Sequence, residues 1–278
     1  MELLFGLTKI LNIISGVCRI ERKISSVDDA ELMIKYKNFL VKHSAFEISK
    51  ISNHIQIMDL KALESCIPQF YKQKNGFFKD NSETIADKLA SGLFYEYLEQ
   101  LKLENLELYE VANLIIKVIL INQLQSYTNG TTEETIGLAS FDFKDHFDHE
   151  DFMELVVHQL THMILFLDNI NNKHVIERNG KTMIEVGLNY KLGGTKFPAY
   201  ICFHSYLVGA EVLSHRRYVK KISKSTSCHG DTARILRLSK FFENAIEQNM
   251  QLFTNYGQSL IKKAKVSIEK IKEELSYC

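Results

Sequence analysis

The sequence predicts a mostly α-helical protein, one domain with a small β-hairpin insert. Three observations predict it. Only two prolines, Pro68 and Pro198, and 13 glycines punctuate 278 residues, a sparseness that favours long helices over many short strands. Apolar residues recur at the spacing of an amphipathic helix through most of the chain. One stretch, Asp151 to Asn169 (DFMELVVHQLTHMILFLDN), is longer than any ordinary strand and apolar over most of its girth.

Taken in order, the first segment, MELLFGLTKILNIISGVCRIERK, reads as an amphipathic helix packed on the core. Glu2 precedes its apolar run and the basic residues follow, the reverse of a secretory signal, and Lys9 breaks the run before it could span a bilayer. Contact with a membrane surface is its alternative role. Ser26 and Asp28 can cap a helix running to about Lys50, with Leu32, Met33, Tyr36, Phe39 and Leu40 as its apolar stripe. A second amphipathic stretch covers Ile55 to Tyr71, and the polar run from Lys72 to Glu83 reads as a loop.

From Ser82 onward, Ile85, Leu89, Leu93, Phe94, Tyr97, Leu98 and Leu101 mark a core helix, and Leu106 to Leu124 a second one with an almost wholly apolar centre, NLIIKVILI. Together these N-terminal helices occupy about residues 1–125. A polar turn at Ser126 to Glu134 follows, and TIGLASFDF suits a short strand. KDHFDHED then reads as a solvated helix start, where Asp148 or Glu150 complements the helix dipole. Past the apolar helix, Asn179-Gly180 between two apolar arms predicts a two-residue hairpin setting Ile176 opposite Met183 and Val175 opposite Ile184. NYKLGGTKFP is a loop, Ala199 to Val219 a helix, SKSTSCHGD a polar end to it, and Thr232 to Glu274 one or two closing helices.

Formal net charge is zero, so the charge balance argues against nucleic-acid or anionic-membrane binding. The five cysteines, Cys18, Cys66, Cys202, Cys228 and Cys278, are odd in number and never spaced C-x-x-C. That argues against a disulfide framework or a thiolate zinc site and for the cytoplasm.

His158 and His162 interrupt the apolar helix. One turn apart, two imidazoles lie on the same face and can reach one metal ion. Two unpaired buried imidazoles would also be costly, which favours a metal over a purely structural role. The residue between them decides the chemistry. In the H-E-x-x-H motif of zinc hydrolases the glutamate takes a proton from metal-bound water. Gln159 stands there and cannot act as a base, so ordinary zinc proteolysis is disfavoured.

Two ligands do not complete a site. Glu154, one turn before His158, is placed to support a ligand rather than bind the metal. Asp168 stands where a compact class of metalloproteases puts its third ligand after a glycine turn, but Leu165 replaces that glycine, so the helix should carry Asp168 to another face. His204 sits in apolar surroundings on the later helix, whereas His215, beside Arg216 and Arg217, reads as lying at an exposed end. Glu211, two turns beyond His204, is about 10 Å away by helix rise, so only one of the pair can bind the metal directly; the other would orient a ligand or touch substrate. His174 and His229, in polar loops, look incidental.

The order of His158-Gln159-Leu160-Thr161-His162, then Lys196-Phe197-Pro198, then His204-Ser205 and Glu211, over about residues 135–260, resembles the HExxH-type proteins of bacterial ribosomal-peptide modification clusters. Some of that group are iron(II)- and 2-oxoglutarate-dependent peptide β-hydroxylases. The resemblance implies His158, His162 and His204 as iron ligands, and a basic group at Lys196, with Lys191 in reserve, to pair with the 2-oxoglutarate carboxylate. It departs from the family at Gln159, which an oxygenase tolerates because dioxygen chemistry belongs to metal and cosubstrate. It departs also at Phe197, where relatives carry arginine; a lysine one place earlier gives a point charge instead of a bidentate fork. The expected function is thus oxygen insertion into a precursor peptide by a cytoplasmic enzyme with Fe(II) and 2-oxoglutarate. A zinc metallopeptidase-like protein, using Glu154 or Glu211 as base or inactive, and a helical binding or scaffold protein with structural histidines are the alternatives.

Overall fold

The apolar periodicity is realised in a mostly helical molecule, 65% helix with small sheets. The computed structural model describes residues 5–68, 85–122, 130–144, 146–176, 180–187, 196–222 and 225–276. The polar run from Lys72 to Glu83, Asn179 of the expected hairpin turn and Lys191 lie outside them. Two compact units divide the chain, residues 7–167 and residues 1–6 with 168–278.

In the first unit, α1 (Gly6–Val17) buries Ile10, Leu11, Ile13 and Ile14, as its amphipathic pattern requires. Helix α2 (Ala30–Ser44) buries Leu32, Tyr36 and Leu40. Its cap is neither Ser26 nor Asp28 but Asp29, whose Oδ1 accepts from the Leu32 amide at 3.0 Å. It also stops short of Lys50, because the chain reverses at Ala45 (φ 54°) to bury Phe46, leaving one 3₁₀ turn at Ile48–Lys50. The expected amphipathic helix after Ile55 is instead a short strand, β1 (Gln56–Ile57), then α3 (Leu60–Cys66). Asp59 imposes that break by accepting from the Ala62 amide at 2.6 Å.

Helix α4 (Ile85–Glu104) follows the expected pattern, but the core helix expected over 106–124 is two elements. Helix α5 (Leu106–Ile115) ends, and Val118–Ile121 forms β2, buried at every position. A short, continuously apolar run fits a buried helix or a buried strand equally well, and here the β-branched residues take the strand. Strand β3 (Leu138–Phe141) is the short strand expected. All three strands are parallel, in the order β1-β2-β3, with Gln56 beside Val118 and Val118 beside Leu138. A small parallel sheet covered on both faces explains why VILI and LASF show no polar alternation.

Phe94 of α4 anchors the aromatic core of this unit, its ring 5.4 Å from Phe141 and 4.9 Å from both Phe143 and Phe152. Helix α6 (His149–Asn171) then begins as expected at the acidic run. Asp148 Oδ1 accepts from the Glu150 and Asp151 amides, and Asp151 Oδ2 accepts from the Asp148 amide, a reciprocal cap. The division between the units falls within α6, between Leu167 and Asp168.

In the second unit, β4 (Met183–Glu185) pairs antiparallel with β5 (Lys196–Pro198), setting Met183 opposite Pro198 and Glu185 opposite Lys196. This overturns the expected pairing of Val175 and Ile176 with Ile184 and Met183. Val175 bridges Phe253 instead, and the Ile176 amide donates to the Leu252 carbonyl at 3.0 Å, so those backbone groups are already taken. Helix α7 (Ala199–Tyr218) packs against both α8 (Thr232–Glu247) and α9 (Asn255–Ser276). The end of α7 is not exposed as expected: His215 and Arg216 are buried. The Arg216 guanidinium donates to Thr232 Oγ1, Thr226 Oγ1 and the Gly230 carbonyl at 2.8–3.0 Å, which offsets the desolvation of its charge. Among the described residues, no helix is long and apolar enough to cross a membrane.

Gly137 leads into β3 at φ +97°, and its carbonyl accepts from the amides of Lys117 and Val118. A Cβ there would meet Leu40 and Phe46 at 3.2–3.3 Å. Gly137→Ala is therefore expected to lower stability by about 1–3 kcal/mol, read as a lower urea midpoint; a wild-type midpoint would show that the backbone relaxes there at no cost.

Candidate functional site

Helix α6 is buried along almost its whole length. Its exceptions between Asp151 and Asp168 are His158, His162 and Phe166, one turn apart on a single half-buried stripe. The histidines are thus the accessible part of the helix, not enclosed by apolar surface as the sequence pattern implied. Their ring centroids lie 5.0 Å apart with planes inclined by 53°. The Phe166 ring lies 6.3 Å from that of His162, inclined by only 22°. Two imidazoles on successive turns can offer one nitrogen each to a divalent metal. Gln159 is off the stripe and buried, its Oε1 without a hydrogen-bond partner. Glu154, one turn before His158, is buried as well.

The remaining sequence candidates belong to the second unit. His204 is buried on α7, with Phe203 and Tyr200 rings 6.1 and 6.4 Å away. Burial pushes its pKa down to about 3, with the charge of His174 acting in the same direction, so the imidazole is neutral. Neutral imidazole is the metal-binding form. Glu211 is buried two turns further along. Lys196 stands exposed on β5 opposite Glu185, in a strand and not in the loop expected there. The structure therefore brings His158 and His162 together on one element, and it places His204 and Glu211 on another.

Sequence reasoning missed a second constellation. His174, expected to be incidental, is buried, and its Nε2 lies 2.9 Å from Asp168 Oδ2. Tyr256 OH donates to the same oxygen at 2.8 Å, and Asn172 Nδ2 donates to Asp168 Oδ1 at 3.0 Å. Burial alone would raise the Asp168 carboxyl, but the hydrogen bonds from His174, Asn172 and Tyr256 hold it below the usual range. The opposite ring nitrogen, His174 Nδ1, is buried without a hydrogen-bond partner. A carboxylate behind a histidine is the arrangement that sets tautomer and basicity in both general bases and metal ligands. The signal was available: an acid near the helix end followed six residues later by a histidine. In the turn after α7, Cys228 Sγ lies 3.1 Å from His229 Nδ1, so this histidine too has a chemical neighbour.

His204 links this geometry to acid stability. The unfolded chain binds a proton at its imidazole below about pH 6.5, while the folded protein excludes that proton until about pH 3. Its contribution is therefore present above pH 6.5 and lost as pH falls, at up to about 1.4 kcal/mol per pH unit. The Asp168 contribution, with its depressed carboxyl, is lost in a lower window, below about pH 4. Urea unfolding of metal-free protein between pH 7 and pH 5 should show a slope that His204→Gln reduces; an unchanged slope would mean that His204 is not held neutral. A scan against protein-family models gives no match to this chain, and a search of the curated proteins gives none either.

Proposed function

We propose that the protein is a metal-dependent enzyme in which His158 and His162 bind a divalent first-row metal, acting as an Fe(II)- and 2-oxoglutarate-dependent hydroxylase of a ribosomally made precursor peptide. The observation that carries the metal reading is the imidazole pair, 5.0 Å apart on the half-buried stripe of an otherwise buried helix. Nitrogen donors suit iron, zinc and their neighbours better than magnesium or calcium. Gln159 supports oxygenase over peptidase chemistry, since an amide cannot take a proton from metal-bound water.

When bound, iron with a keto acid and dioxygen supplies hydrogen abstraction and hydroxyl transfer, while the protein contributes ligation and orientation. His158 and His162 would hold the ion, and the family resemblance nominates His204 as a third ligand. Lys196 fits its expected role less well. A solvated lysine opposite Glu185 is a weak partner for a cosubstrate carboxylate, so the cosubstrate assignment rests on the resemblance and on the metal.

Metal analysis of anaerobically purified protein is expected to find about one iron per chain in the wild type and little in His158→Ala or His162→Ala. Full retention in both variants would overturn the site, and retention in His204→Ala alone would remove that residue from the ligand set. Adding 2-oxoglutarate to the anaerobic iron(II) protein should produce the visible absorption of a chelated keto acid. Metal binding without that absorption would leave a metalloprotein and sink the hydroxylase.

A further inference from the structure

Lys117 precedes β2, in the run that reads in sequence as the middle of a core helix. It is 4% exposed, yet it lines an open pocket of about 220 Å³ in the first unit. Its Nζ donates to the Asn113 carbonyl at 2.7 Å, one of the carbonyls that the end of α5 leaves without a helical partner. Among the described residues no carboxylate forms an ion pair with it. Burial lowers its pKa to about 7, and the Lys37 ammonium pushes in the same direction. A large share is therefore free amine at neutral pH, and one N–H suffices for the bond to Asn113. The lone pair remains available for chemistry.

We propose that this pocket binds a small aldehyde or ketone and holds it as an imine on Lys117 Nζ. Desolvation and a neighbouring cation are the two devices that turn lysine into a nucleophile at neutral pH. The volume is below that of pockets for drug-sized ligands, so the carbonyl compound is small. In the reaction, the amine nitrogen attacks the carbonyl carbon and the π pair moves to oxygen, giving a carbinolamine. The carbon–oxygen bond then breaks and C=N forms. The oxygen leaves as water with the two amine protons, and nothing is oxidised or reduced. His54, Asp28 and Glu110 line the same pocket and can pass those protons. Lys102, with its Nζ 5.6 Å from the centre of the Tyr109 ring, adds a cation to the wall, which favours a carbonyl compound carrying a carboxylate. The site is independent of the histidine pair.

The test is reductive trapping on the full chain, with propanal or pyruvate as probe and cyanoborohydride to convert the imine to a secondary amine, followed by peptide mass mapping. A lysine titrating near 7 has roughly a thousandfold more free amine at pH 7 than one near 10.4. Labelling at Lys117 should therefore outpace that at Lys102 by at least about tenfold, even after the lower nucleophilicity of a weaker base, and should reach half its maximal rate near pH 7. Lys117→Arg, which keeps a donor for the Asn113 carbonyl, should lose the adduct. Labelling no faster than at Lys102, or a rate still rising toward the ordinary lysine range, overturns the proposal. The wild-type pH profile decides the matter even if the arginine variant fails to fold.

Discussion

A carboxylate that is completely inaccessible to water must be satisfied by protein donors, and Asp168 imposes that demand on the whole second unit. Three side chains meet it, two from the segment just after α6 (Asn172 and His174) and one from α9 (Tyr256). The His174 ring lies between those of Phe203 and Tyr256, at 4.9 and 5.8 Å. Its carbonyl accepts from both the amide and the hydroxyl of Thr254. Gly257, in the first turn of α9, approaches that carbonyl so closely that no side chain would fit. One buried charge thus ties a helix end, a loop and two further helices into a single arrangement, because every group that touches it is held by another contact.

The first unit meets a related demand where a helix ends inside the core. Where α5 stops, its last carbonyls lose their helical partners. Tyr36 OH donates to the Ile115 carbonyl at 3.2 Å, and Lys117 Nζ serves Asn113. The backbone can then leave the helix and enter β2 without stranding polar groups in the core. Among the described residues this amine is buried without a carboxylate partner, and the desolvation disfavours its charge.

The chemistry of α6 follows from which side of the helix water reaches. Most of what packs is apolar, with Glu154, Gln159 and Thr161 buried among it, and the two imidazoles lie on the half-buried stripe. The neighbouring Gln159 is buried and has no acid–base capacity. On the metal reading proposed above, imidazole ligation with an amide at Gln159 suits reactions whose difficult step belongs to a metal and its cosubstrates.

Periodicity and punctuation by themselves determined the helical class, the N-terminal amphipathic helix, the long histidine helix, the strand at Leu138 and the closing helices. These depend on contacts within a few residues, and the spacing of His158 and His162 on one face follows from helix geometry alone. Tertiary structure decided the rest. Whether IIKVILI continues a helix or starts a strand depended on a place between β1 and β3, since either form buries the same side chains. The partners of Val175 and Ile176 were set by the segment before α9, some 75 residues away in the chain. Burial of His174, His215, Arg216 and Lys117 was invisible for the same reason: polar residues look solvated in sequence, and only a partner brought from elsewhere makes their burial possible.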